Sequence, residues 1–291
     1  MKLRATTAIA LACLVLAFAV AYFDVFVWLF DDWELDGNYS HGWLVLPIAG
    51  YMVWERRDEL SRLTPKPSLW GLALLIASIA ALGAGTVAAE TTVARLSIIL
   101  TIVGAIWYVV GFQALRVLRF PLAFLLLMIP IPGIIFNRIT FPLQLIASEF
   151  GAWSLSVAGI PVYREGNLIN LAHMSLDVAE ACSGIRSLIS LFTLSLLYGY
   201  FAEPHRSIRM LLLVATVPVA IIANGMRVAA TGIAAHYYGL QAAEGFFHSF
   251  SGWIVFAVAG VALVAIRYVA LLLLRPWLGT TPALAPVKEY V

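Results

Sequence analysis

Cys182, in the stretch Glu180-Ala-Cys-Ser-Gly-Ile-Arg186, is the residue of this chain whose type and setting suit covalent chemistry. The thiolate is the reactive form of cysteine, and a cationic neighbour favours it. Arg186 stands one helical turn further on and on the same face, while Asp177 and Glu180 precede the thiol. The chain holds 2 cysteines, and the other, Cys13, lies in the N-terminal apolar run. That count excludes a disulfide framework and a Cys-rich metal site. Cys13 reads as the small hydrophobe that free cysteine usually is in an apolar helix.

Two more residues complete a chemical set. Arg227, in Asn224-Gly-Met-Arg227, is an ionisable residue in or near the membrane, and such residues are costly enough to start as functional candidates. Asn224, one turn earlier on the same face, can orient the guanidinium; the alternative is an interfacial arginine that bonds lipid phosphate. His248 stands in Glu244-Gly-Phe-Phe-His248-Ser-Phe-Ser-Gly252-Trp253, where Glu244 can hold its ring and the alternative is a helix cap. In such a set the thiolate attacks a carbonyl, histidine protonates the leaving amine and arginine donates hydrogen bonds to the oxyanion. The product is a thioester acyl-enzyme, open to water or to an amine.

The elements that must position these residues are membrane helices. The chain is 62% hydrophobic and 12% charged, and its apolar runs are long enough to cross a bilayer, which takes ~20 residues per helix. Eight spans are predicted: Ala5 to Leu29, His41 to Trp54, Ser68 to Ala88, Val93 to Phe112, Phe120 to Phe136, Ser183 to Ala202, Ile208 to Thr231 and Ser251 to Leu274. The first reads as a retained signal anchor. Under this count Arg56, Arg57, Arg62, Lys66, Arg116, Arg119, Arg206, Arg209 and Arg275 share one side, which should be cytoplasmic. Both termini then lie inside, with a short tail over 275–291. The acidic loop of Asp31, Asp32, Glu34 and Asp36 faces out, as do Cys182, Arg227, His248, His41 and His173.

A helical ruler gives the depth. Arg227 lies about 27 Å along its helix from Arg209, Cys182 about 32 Å from Glu203, and His248 about 28 Å from Arg267. Three helices should therefore bring Cys, Arg and His to one level. Residues 139–160 place Ile139, Leu143, Ile146, Phe150, Trp153 and Val157 on one stripe with Gln144 and Ser148 off it, the pattern of an amphipathic helix lying in the outer interface. An outer-face loop over 161–181 follows. Val162 to Arg164, a Glu-Gly-Asn turn, Leu168 to Leu171 and Leu176 to Ala179 read as short strands that deliver the chain to Cys182. The expected class is an all-α polytopic membrane protein, one domain over residues 1–291, with this small β-hairpin element.

The sequence argues against some other chemistry. The histidines show no i, i+3 or i, i+4 pairing and no His-Glu-x-x-His or Cys-x-x-Cys occurs, so no metal is expected. No Gly-rich phosphate loop appears, and no cofactor is implied. The net charge of +2 is spread over loops, so nucleic acid is not an expected partner. A membrane acyltransferase working through a Cys thioester stays open, as does a polytopic transporter, although a transporter would place polar sites at the midplane.

Tyr39-Ser40-His41-Gly42, Glu180-Ala-Cys-Ser-Gly-Ile-Arg-Ser187, Asn224-Gly-Met-Arg227 and Gly245-Phe-Phe-His248 with Gly252-Trp253, in that order on eight spans, resemble an exosortase of the exosortase A type. The resemblance implies a bacterial inner-membrane cysteine protease or transpeptidase. Its substrates would be membrane-anchored proteins with a C-terminal sorting tail: a Pro-Glu-Pro motif, an apolar helix and a basic cluster. Such systems accompany exopolysaccharide production. It assigns Cys182 as nucleophile, Arg227 as the transition-state cation and His248 as general acid and base, with Arg186, Asn224, Glu244 and His41 in support. Substrate-side contacts would fall to Arg164 and Glu180: Arg164 or Arg186 would pair with the motif's glutamate, or pair structurally with Glu180 or Asp177. A glycan or lipid amine, or water, would resolve the thioester.

Overall fold

In a bilayer every backbone N–H and C=O must be satisfied within the protein, and a helix does so within a single apolar run. The computed structural model describes residues 5–172, 174–178, 184–239 and 246–274. Eleven α-helices and one three-stranded sheet occur among them. The helices are α1 (Ala5–Ala21), α2 (Phe23–Leu35), α3 (Gly42–Glu55), α4 (Arg57–Ser61), α5 (Leu69–Val87), α6 (Thr91–Val109), α7 (Phe112–Phe124), α8 (Gly133–Val157), α9 (Ile185–Phe201), α10 (Arg206–Tyr238) and α11 (Phe246–Leu274). The class is all-α and polytopic. By length and composition α5, α6, α10 and the Gly252–Leu274 part of α11 can each cross a membrane; two bent pairs raise the number to as many as six. Two of the eight expected passes, His41 to Trp54 and Ser183 to Ala202, fall on α3 and α9, of 14 and 17 residues. The domain expected over residues 1–291 is organised as two compact units, Met1–Pro132 and Gly133–Val291.

In the first unit the expected straight span Ala5 to Leu29 is two helices, with Ala12–Ala21 and Phe23–Leu35 bent by 63°. No proline or glycine marks the bend. It falls at Tyr22, fully buried, whose hydroxyl meets the Ser97 carbonyl at 3.1 Å and Thr101 Oγ1 at 2.6 Å. Thr101 in turn bonds Ser78 at 2.8 Å. Buried hydroxyls thus tie the bend to α5 and α6, which pack so closely that a Cβ at Gly85 would lie 2.7 Å from the Ala94 nitrogen. Small residues permit such close approach of membrane helices.

The expected span Phe120 to Phe136 also breaks. Helix α7 passes into a 3₁₀ turn, Leu125–Met128, and ends before Ile129-Pro-Ile-Pro132. Proline has no N–H and excludes the preceding residue from helix, so Pro132 cannot serve the Met128 carbonyl. Trp33 Nε1 serves it instead, at 2.9 Å. Likewise the Leu127 carbonyl meets His41 Nε2 at 3.0 Å, and the Ile131 N–H donates to the Tyr39 hydroxyl at 3.2 Å. Gly42 lies directly on the Trp33 indole, where no Cβ would fit. The Tyr-Ser-His-Gly stretch therefore satisfies the broken helix.

The second unit is built around α10. Helix α9 runs antiparallel to it, with Ser195 and Thr216 bonded at 2.9 Å, and α11 packs on both through Ala259, Leu263 and Ala270. Helix α8 runs parallel to α10: a Cβ at Gly225 would sit 2.5 Å from the Phe150 ring, one at Gly151 2.5 Å from Val228, and one at Gly232 2.7 Å from Leu155. Leu143 lines one cleft with Ala220 and Ile221, so the contact follows α10 for about 18 Å. The amphipathic helix expected over 139–160 is thus longer at its start, and its faces are reversed. Gln144 and Ser148 are buried rather than turned to water, while Ile139, Ile146, Trp153 and Val157 are exposed. An apolar stripe identifies a protein-facing surface only when the outside is water; beside lipid the small and polar stripe turns inward.

The sheet, β1 (Val162–Glu165), β2 (Leu168–Leu171) and β3 (Met174–Asp177), is an antiparallel meander with a two-residue turn at Gly166-Asn167. Gly166 has φ +62°, the conformation that such a turn requires. The third strand starts two residues before the expected Leu176. Ile169 and Leu171 join Ala147, Ala152, Leu155 and Val228 in one buried cluster, and Ser148 Oγ donates to the Gly166 carbonyl at 3.0 Å.

Candidate active site

Helix α9 begins abruptly. Gly184 caps it at φ +78°, ψ −3°, a left-handed conformation that costs other residues about 1–2 kcal/mol. A Cβ there would also lie 2.8 Å from Cβ and Cγ of Asn224. Both demands are met only by glycine, and together they seat the start of α9 against the Asn224 turn of α10. Asn224 and Arg227 lie on the buried face of α10, 2% and 9% exposed. Gly225 between them accommodates the Phe150 ring, so α8 and α9 both converge on this turn.

The other approach is equally fixed. Val178 is buried in the cluster that contains Val228, and its N–H donates to the Asn167 carbonyl at 3.0 Å. Cys182 and Glu180 lie outside the described residues, as do Glu244 and His173. Of the described flanks, Gly184 is seated on Asn224 and Val178 shares a buried cluster with Val228, near the stretch of α10 that carries Arg227.

The remaining predicted residues are distributed as follows. Arg186 is exposed in the first turn of α9. His248 is the third residue of α11, the helix that packs on α9 and α10, and its side chain lies outside the described part of the chain. Arg164 is exposed on β1, and its Nη1 donates to the Gly166 carbonyl at 2.9 Å; Asp177 accepts from Asn167 Nδ2 at 2.9 Å. His41 belongs to the first unit, where its ring serves the broken end of α7 at the Leu127 carbonyl. Among the described residues no three His, Cys, Asp or Glu side chains gather as metal ligands. A small apolar cleft lies behind the Gly184–Asn224 contact, between Leu143, Ala147, Leu188 and Ala220.

Two charged residues were not expected to matter. Arg95, inside an apolar helix yet only 7% exposed, pairs with Asp32 at 2.5 Å; an arginine within a span was itself the available signal. Glu203, which serves in the sequence only as a length marker, is buried with its carboxylate fully engaged.

A family model described as transmembrane exosortase matches residues 33–265, across both units. The chain belongs to the transmembrane exosortase family. No curated protein and no solved structure matches it. Membership supports a membrane transpeptidase role in protein sorting. The matched span contains Cys182, Arg227 and His248 as well as the Tyr39–Gly42 stretch.

Proposed function

We propose that this exosortase-family chain is a cysteine transpeptidase that cleaves C-terminal sorting tails at the outer face of a bacterial inner membrane, with Cys182 as nucleophile. The observation that supports this reading is that Gly184, after residues 179–183, is seated on Asn224, while Val178, before them, shares a buried cluster with Val228. The Cys182 thiolate attacks the scissile carbonyl, and Arg227, with Asn224 beside it, donates to the oxyanion. His248 protonates the departing amine, leaving a thioester. Water, or a glycan or lipid amine, then attacks that thioester; His248 accepts the attacker's proton and the thiolate is restored. Charge distribution supports a cytoplasmic side that carries Arg206 and Arg209.

The test is a reporter bearing a Pro-Glu-Pro tail, an apolar helix and a basic cluster. Cys182→Ala should abolish its processing while the protein still accumulates in the membrane, and Cys13→Ala, an exposed thiol, should be silent. Mass spectrometry of the trapped acyl-enzyme should show a peptide acyl group on Cys182. Full processing by Cys182→Ala refutes the mechanism, and a fatty acyl group would turn the reading to an acyltransferase.

A further inference from the structure

Glu203 lies in the α9–α10 connection, is 2% exposed, and joins three helices. Its Oε1 accepts from the His205 N–H and sits 3.1 Å from His205 Nδ1, its Oε2 accepts from Arg267 Nε of α11 at 2.7 Å, and its carbonyl accepts from Arg209 Nε of α10 at 2.5 Å. Arg267 also lies over the Tyr198 ring of α9. The equal lengths above this knot are the telling feature. Gly184 stands 19 residues before Glu203, Arg227 18 residues beyond Arg209, and His248 19 residues before Arg267. At a helical rise these are about 27–28 Å each. Three helices that start from one residue therefore end at one height, where the proposed chemistry occurs.

Apolar contacts between helices resist sliding weakly, because each side chain finds a similar neighbour one turn on. Helix α11 meets its neighbours through Ala259, Leu263 and Ala270, and between Phe246 and Leu274 it carries no Lys, Asp, Glu or Arg except Arg267. A fork of charge-assisted hydrogen bonds has one register. We infer that Glu203 is a positioning residue for catalysis: through the bond of its carboxylate to Arg267 it sets the height of His248 on α11 relative to the start of α9. This rests on the proposed role of His248. Displacement of a reacting group by 1 Å can cost ~10²-fold in rate, and one residue of helical slip is about 1.5 Å.

Turnover of the tailed reporter in proteoliposomes tests it. Glu203→Ala and Arg267→Ala should each lower kcat at least tenfold with KM within threefold of the parent, and the double variant should be no slower than the slower single. Should Glu203→Ala fail to accumulate, Glu203→Gln, which keeps size and one acceptor oxygen, should still lose at least threefold in kcat. Parental kcat in the folded single variants, additive losses, or losses that follow only the amount of folded protein would overturn the inference. Cys182→Ala run in parallel separates the two readings: processing by that variant removes the proposed function, whereas its inactivity beside an unaffected Glu203→Ala removes only the levelling role.

Discussion

Gly184→Ala isolates the contact on which the site reading depends. The new Cβ would lie 2.8 Å from Cβ and Cγ of Asn224, against the 3.5–4.0 Å at which carbon atoms rest. Asn224 Cβ is fixed to the backbone of α10, so a rotamer change relieves only half of the clash. The start of α9 must retreat by about 0.7–1.2 Å, the difference between those contact distances. At ~10²-fold per ångström of misplacement, turnover should fall about 10²-fold. The left-handed backbone adds a stability loss of about 1–2 kcal/mol, which needs its own control. Gly159 supplies it: its φ is also +78°, but a Cβ there meets nothing within 4 Å. Gly159→Ala should therefore show only the backbone part of the stability loss in detergent, with turnover within threefold of the parent. Reporter cleavage in proteoliposomes, normalised to folded protein, reads both. Equal turnover by the two variants would mean that the Gly184–Asn224 contact does not set the geometry of the cysteine segment.

Arg227→Lys should keep membrane insertion and substrate co-purification yet slow cleavage roughly 10²-fold or more, because lysine keeps the charge but loses the planar fork that can serve an oxyanion and Asn224 together. Near-normal cleavage would return Arg227 to a structural role and direct the search for the cation to Arg186. For topology, an alkaline phosphatase fusion after Asn170 should be active and one after Pro204 inactive; the reverse pattern would contradict the proposed orientation and the outer-face site with it.

Where local chemistry decides the conformation, the residues announce it. The Gly166-Asn167 turn and the strands on either side fall where the sequence places them, because glycine at positive φ and flanking alternation are properties of a few neighbouring residues. The family is legible for the same reason, since the short motifs from Tyr39–Gly42 to Gly252-Trp253 are residue types in fixed spacing and the family they resemble is the one whose model matches residues 33–265. Contacts across helices are less so. The bend at Tyr22 has no proline or glycine to mark it and depends on the Ser97 carbonyl and the Thr101 hydroxyl, 75 and 79 positions away. The break at Ile129–Pro132 is written in two prolines, but it persists in an apolar setting because Trp33, His41 and Tyr39 satisfy the freed backbone groups.

Helix α8 shows why periodicity alone misleads in this class of protein. A stripe of Ile139, Ile146, Trp153 and Val157 has the same 3.6-residue period whether it faces protein or lipid, so the pattern fixes the helix and leaves its orientation open. What resolves it is the complementary stripe. Thr140, Gln144, Ala147, Ser148, Gly151 and Ala152 are small or polar, and all are buried. Small residues let backbones approach, and polar ones find partners only where protein supplies them, as Ser148 does at the Gly166 carbonyl. The same logic recovers Glu203 and Arg95. An ionised group within or at the end of an apolar helix is tolerable only with a partner, so each such residue in the amino-acid sequence predicts a contact across helices. Glu203 finds three donors and Arg95 finds Asp32. In a membrane chain a charged residue without an evident chemical role is therefore a pointer to a contact that fixes one helix against another.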